Sequence, residues 1–206
     1  MHHETHSARP YRTRNPAPAK GPRRQWARQR PDISIREAQR EDSEALTGIY
    51  NQAILSGRST MDTQPVDTGY FEALLGGRRR EAILVAAARK RVIAWGIVKQ
   101  YSDRPGYQYA CETSVYVANA HQGRGYGSTL LTAVVARAQA LGYRHLVAKI
   151  LAVNESSIRF HEHFNFEIVG QQRAIGFLNG TWHDVVIMQR VLDDSQHQYP
   201  RECTDP

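Results

Sequence analysis

The sequence predicts one mixed α/β domain, and three observations carry that expectation. A strand-forming stretch, Glu112-Thr113-Ser114-Val115-Tyr116-Val117, puts Thr113, Val115 and Val117 on one face at period two. It runs into a turn with three glycines spaced two apart, Gln122-Gly123-Arg124-Gly125-Tyr126-Gly127-Ser128. Residues 129–141 then space Leu130, Leu131, Val134, Val135, Ala138 and Leu141 along one helical face and stop at Gly142, which suits a helix end.

The other elements follow in order. Residues 33–36 begin the domain as a strand. Asp42 or Ser43 caps a helix carrying Leu46, Ile49, Tyr50 and Ile54. A loop through Met61 leads to a second helix over 67–75, closed by Gly76-Gly77. Residues 82–88 and 92–101 read as a hairpin across the basic turn Arg89-Lys90-Arg91. The 104–109 loop precedes the central strand. After the central unit come a strand over 145–150, a short helix over 156–164, and closing strands near 166–172 and 184–191.

Charge separates the tails from the domain. Residues 1–30 hold eight Lys and Arg against one acid, and the remaining residues balance at nineteen each. The basicity therefore belongs to the tail and gives no argument for nucleic-acid binding by the fold. Residues 1–31 are Arg- and Pro-rich with few aliphatics, which reads as a disordered extension, with a transit peptide or a tether to nucleic acid or an acidic surface as alternatives. The domain is expected over 32–192 and a flexible tail over 193–206. Two cysteines, Cys111 as a small buried residue and Cys203 in the tail, make no disulfide framework and fit a cytoplasmic protein. No apolar run is long enough to span a bilayer, and no His, Cys or acid cluster has metal-binding spacing.

A strand entering a helix through glycines is a phosphate site in outline. First-turn N–H groups lack intrahelical partners, and glycine lets a ligand approach the backbone. The P-loop is excluded because no lysine precedes Ser128-Thr129. The dinucleotide fingerprint is excluded because Ser128 stands at its third glycine and no acid stands at the end of the next strand, residues 145–150.

Gln122-x-x-Gly125-x-Gly127 resembles the acetyl-CoA pyrophosphate loop of the GNAT superfamily of N-acetyltransferases. Asn154-x-x-Ser157 followed by His161-Glu162 and Asn165-Phe166 resembles the second motif of that family, with Asn165 for the usual glycine. With Gly180-x-Trp182-His183-Asp184-Val185, the likeness narrows to the phosphinothricin, methionine sulfoximine and arsinothricin acetyltransferases. The resemblance implies a mostly antiparallel sheet, splayed at its central strands and flanked by helices. It implies direct transfer, in a ternary complex and without metal, of the acetyl group of acetyl-CoA to the amine of a small amino acid or analogue. A homodimer and a role in resistance come with it.

The same resemblance distributes roles. Val115, Tyr116 and Val117 offer backbone groups to the cofactor. Gln122, Gly123, Arg124, Gly125, Tyr126, Gly127 and Ser128 hold its pyrophosphate, with Asn154 and Ser157 beside it. Glu112 is the candidate base, since a carboxylate in a central strand needs a task or a partner. The alternative is a strand-end acid paired with Arg104 or Arg144. His161 is the candidate acid, and the alternative is a solvent-facing helix histidine. Met61, Arg80 and Tyr107 are candidates for the acceptor pocket, drawn from the Met61 loop, the Arg78-Arg79-Arg80 run and the 104–109 loop. Relatives carry an aromatic near Met61. Trp182, His183 and Asp184 are assigned to the sheet and a dimer contact, with the acceptor pocket as the alternative. Two other functions stay open: an acetyltransferase for polyamines, peptides or aminoglycosides, and a non-catalytic acyl-CoA-binding regulator.

Overall fold

A computed structural model describes residues 33–77 and 80–192. The expectations for the two tails, for Cys203 and for Arg78 and Arg79 lie outside the described residues.

Seven strands form one open sheet in the order β1-β2-β3-β4-β5-β7-β6. They are β1 (Ile33–Glu37), β2 (Ala82–Ala88), β3 (Arg91–Gln100), β4 (Ala110–Val117), β5 (His145–Leu151), β6 (Glu167–Leu178) and β7 (Thr181–Val191). Every neighbouring pair is antiparallel except β4 and β5. The helices are α1 (Ser43–Ser56), α2 (Thr68–Leu75), α3 (Tyr126–Ala140) and α4 (Glu155–His163).

Alternation along β4 divides the core. Cys111, Val115 and Val117 join the α3 residues Leu130, Leu131 and Val134 in one apolar cluster. Tyr116, on the opposite face, joins Tyr50, Phe71 and Trp95 under α1 and α2. Burial pushes the Cys111 thiol up to about 12, so it serves as an inert small side chain.

Local chemistry sets the boundaries. Asp67 caps α2 by accepting the Tyr70 N–H at 3.3 Å, and Asn154 caps α4 by accepting that of Ser157 at 3.2 Å. Asp42 precedes α1 without capping it. Its carboxylate accepts two hydrogen bonds from Arg36, at 2.6 and 2.8 Å, which hold it below the usual carboxylate range. The β2–β3 turn uses Arg89 and Lys90 at φ +48° and +66°. Asn165 takes φ +60°, as its place at the end of α4 requires. Helix α3 begins three residues before the expected start. Strands β6 and β7 are longer than expected and form one hairpin turning at Asn179-Gly180.

Candidate active site

The fork between β4 and β5 organises the site. Their ladder pairs Ala110 with His145, Cys111 with Leu146 and Glu112 with Val147, and there it ends. Both strands continue, β4 to Val117 and β5 to Leu151. The facing edges then carry backbone N–H and C=O groups with no ladder partner, a costly arrangement unless a ligand pairs with them.

A cavity of about 600 Å³ fills this gap. Thr113, Ser114, Val115, Tyr116 and Val117 line one side, and Ala148, Lys149 and Ile150 the other. Gln122, Gly123, Gly125, Tyr126, Gly127 and Ser128 close one end; Asn154, Ser157 and His161 complete the wall. Gly123 and Gly125 have φ +72° and +83°, and Gly125 caps α3 without any side-chain cap. The N–H groups of Tyr126, Gly127 and Ser128 are thus left for an anion, as the glycine spacing predicts. The Tyr126 ring itself is buried. A Cβ on Gly127 would rest 3.5 Å from Val117 and 3.6 Å from Phe160, an ordinary contact.

Two expected cofactor residues have other geometry. Gln122 donates from its side-chain amide to the Val117 carbonyl and the Asn119 side chain, both at 3.2 Å, and so braces the turn against β4. Arg124 lines neither this cavity nor the next. A cation that the sequence reading missed does line the cleft: Arg58, tied to the Val153 carbonyl at 3.2 Å.

His161 is buried, which overturns the solvent-facing alternative. Its Nδ1–H donates to the Ser157 carbonyl at 2.8 Å. A carbonyl can only accept, so Nδ1 holds a proton, and in the neutral ring Nε2 carries a lone pair. Nε2 is buried without a partner among the described residues, and burial pushes the imidazole below its usual pKa. This is a neutral histidine poised to accept a hydrogen bond. Thr113 Oγ1 is a second buried polar atom of the cleft residues with no hydrogen-bond partner among the described residues.

A second cavity of about 440 Å³ adjoins the first through Ser59, Ser114, Tyr116 and Lys149, which line both. Met61 lines it, against Gly176 of β6. Its aromatic wall is Tyr50, Tyr70, Trp95 and Tyr116. The Tyr116 and Trp95 rings stack with centroids 4.6 Å apart, and Tyr50 bonds Asp62 at 2.5 Å and Thr60 at 3.0 Å on either side of Met61. These rings supply the aromatic surface that residue 61 itself lacks.

Glu112 lines this second cavity. Its ion-pair partner is Lys149, Nζ to Oε2 at 2.7 Å, and not the Arg104 or Arg144 weighed from sequence. Arg80 and Tyr107 line neither cavity. The Arg80 guanidinium donates to the carbonyls of Leu141 and Gln108 and lies 4.4 Å from the Tyr143 ring centroid, a clasp joining α3 to the loop before β4. Tyr107 packs on Tyr101 at 5.5 Å. Lys99, Gln172 and Ile175 occupy the pocket instead.

Comparison with known proteins gives a consistent picture. Residues 35–187 match the acetyltransferase (GNAT) domain family. The chain is 34% identical over 177 residues to an L-methionine sulfoximine/L-methionine sulfone acetyltransferase of Salmonella typhimurium, covering 83% of this chain and all of that one. It is 32% identical over 163 residues to phosphinothricin N-acetyltransferase of Streptomyces viridochromogenes, covering 79% of this chain and 89% of the other. A Salmonella typhimurium acetyltransferase solved with its cofactor acetyl-CoA superposes with a TM-score of 0.77 at 33% identity, over 84% of this chain and 99% of that one.

Proposed function

The chain belongs to the GNAT acetyltransferase family and is an acetyl-CoA-dependent N-acetyltransferase; from that premise we propose that its acceptor is the α-amine of a small amino acid analogue with an acidic or strongly polar head. The observation that supports this reading is Glu112, a carboxylate in the last β4–β5 ladder pair that lines the second cavity and lies within two residues of the first.

The residues divide the work between binding and proton handling. Acetyl-CoA supplies the acetyl thioester. The open β4 edge, through Val115, Tyr116 and Val117, pairs with the cofactor's amide arm, and a β4 N–H polarises the thioester oxygen. The turn at 123–128 and Arg58 hold the phosphates. Thr113 Oγ1 and His161 Nε2 take hydrogen bonds that the protein alone leaves unmade. Glu112 receives one proton from the acceptor ammonium, freeing the nitrogen lone pair. As N–C forms and C–S breaks, the second amine proton balances the thiolate, giving an amide and a free thiol. Much of the rate then comes from holding both substrates together.

The pocket's composition supports the acceptor class. Aromatic walls surround an aliphatic stem, and Lys99 and Lys149 supply ammonium groups for an anion. A polyamine would need acids where those lysines stand, and Glu112 as a base argues against a non-catalytic regulator. Acetylation of such an analogue removes its amine charge, which supports a role in resistance and a cytoplasmic site where acetyl-CoA is at hand. No described helix is long and apolar enough to cross a membrane.

Strand β6 is a long sheet edge with Ile168, Val169, Ile175 and Phe177 half-exposed or more, beside Trp182 of β7 at 64% exposure. Edges of this kind are covered in soluble proteins, and a second copy of the chain is the occupant assigned here. Thiol release from acetyl-CoA with phosphinothricin, L-methionine sulfone and spermidine tests the function. Spermidine turning over faster than both amino acids would overturn the acceptor class.

A further inference from the structure

Three charged side chains stand in a row across the sheet where the fork opens. Lys99 of β3 lies opposite Glu112 of β4 in the ladder. Lys149 of β5 lies two residues past the last β4–β5 pair, with its Nζ 2.7 Å from Glu112 Oε2. All three line the acceptor cavity. Lys149 is the exposed residue of an otherwise buried or half-buried strand, His-Leu-Val-Ala-Lys-Ile-Leu. Its ammonium has three N–H donors, and among the described residues Glu112 is its acidic partner, with the Tyr101 ring centroid 5.7 Å away. The pair is part exposed, with side chains at 45% and 30%, so it adds little to folding stability.

We propose that Glu112 and Lys149 together form a receptor for the α-amino-acid zwitterion, with the acceptor's ammonium on Glu112 and its α-carboxylate on Lys149, assisted by Lys99. This inference rests on the amino-acid reading of the acceptor and adds the residues that recognise it. In an α-amino acid the two charged groups are joined through one carbon, which sets them roughly 3 Å apart. An ammonium and a carboxylate held at 2.7 Å in the pocket present the complementary order of charge. Binding then exchanges one internal ion pair for two intermolecular ones. It also points the amine at the base. A plain amine gains only half of that exchange.

The test compares L-methionine sulfone with its carboxamide, in which a neutral amide replaces the α-carboxylate. Wild-type enzyme should favour the acid in kcat/KM. Lys149→Met should reduce that preference roughly tenfold or more, the scale of a lost charge-assisted hydrogen bond. Lys149→Arg should retain most of it. A merely structural lysine would change both substrates alike and leave the ratio fixed. Lys149→Gln serves if Lys149→Met fails to fold. Carboxamide turnover in each variant confirms an intact site. An unchanged ratio in a folded Lys149→Met or Lys149→Gln enzyme, or a wild type that treats acid and amide equally, overturns the zwitterion receptor while leaving the amino-acid acceptor standing. A wild type that acetylates neither removes the acceptor reading and the receptor with it.

Discussion

The carboxylate of Asp184 in β7 accepts the backbone N–H of Ala174 in β6 at 2.8 Å, and that contact holds one wall of the second cavity. The β6–β7 register shifts between Gln172 and Gly176, and Ala174 sits at φ +46°, a conformation alanine disfavours. The second Asp184 oxygen accepts the Gln171 amide at 2.6 Å. Gln172, Ile175 and Gly176, within or beside this bulge, face the pocket, and the Asp184 carbonyl accepts the Ala152 N–H beyond the end of β5. Asp184→Ala should therefore raise the acceptor KM several-fold, with CoA affinity retained. Ala174→Gly in the same chain should recover part of the loss by removing the strain, which steady-state kinetics on the double variant can establish. The two hydrogen bonds hold the Asp184 carboxyl below its usual range. Its contribution is thus complete above the ordinary carboxylate pKa and lost only as pH falls through the lower folded value. Acceptor KM should show no limb from Asp184 at neutral pH.

Glu112→Gln keeps the side-chain shape and removes the proton acceptor. Turnover should fall by roughly 10²-fold or more at neutral pH. Cofactor affinity should hold, because the cleft is built from backbone edges and the turn. Near-normal turnover in stopped-flow thiol release would leave Glu112 only its pairing with Lys149.

Gly125 at φ +83° has open space around its missing Cβ, so only the backbone resists a side chain there. Gly125→Val should cost about 1–2 kcal/mol of stability and abolish CoA binding by placing a branched side chain beside the first-turn N–H groups. Calorimetry on the folded variant decides this. Gly127→Ala, whose Cβ meets only ordinary contacts, should fold normally.

How these features show in sequence depends on their range. The strand, the glycine turn and the helix were legible because period two, positive φ and period 3.6 are each written in neighbouring residues. The Asn154 cap and the turned Asn165 are local in the same way. The start of α3 was hidden because Tyr126 and Gly127 have weak helix propensity, and Gly125 at φ +83° sets the boundary. The length of β6 was hidden because most of its residues are exposed on both faces, which erases alternation. The Glu112–Lys149 pair spans two strands that meet only in the fold, although a lysine inside an apolar strand was a visible signal. Arg80 misled because a guanidinium serves carbonyl oxygens as readily as a substrate anion.

His161 makes stability depend on pH in a defined direction. Burial lowers its folded pKa, so the unfolded chain takes up a proton first as pH falls through the ordinary imidazole range. Stability should then decline as pH drops below about 6.5 and level off below the folded pKa. His161→Asn, which keeps a donor for the Ser157 carbonyl, should flatten that part of the profile in thermal melts at pH 5.5 and 7.5. A variant whose profile matches wild type would show that another group titrates there.

Thr113 separates stability from function most cleanly. Its hydroxyl is buried in the cleft region with no hydrogen-bond partner, and its residue is 2% exposed. A donor left unmade in that setting costs about 1–3 kcal/mol, and a methyl of the same shape carries no such penalty. Thr113→Val should accordingly raise the stability of the ligand-free protein by about 1 kcal/mol or more. If the hydroxyl is there for the cofactor arm, the same change should shrink the stabilisation that CoA confers, because the partner it would have met is gone. Denaturant titrations of both proteins, with and without saturating CoA, measure the two effects separately. Higher stability with an undiminished CoA increment would assign the orphan hydroxyl to the apolar core. A loss of stability without ligand would mean that the hydroxyl makes a bond inside the protein after all.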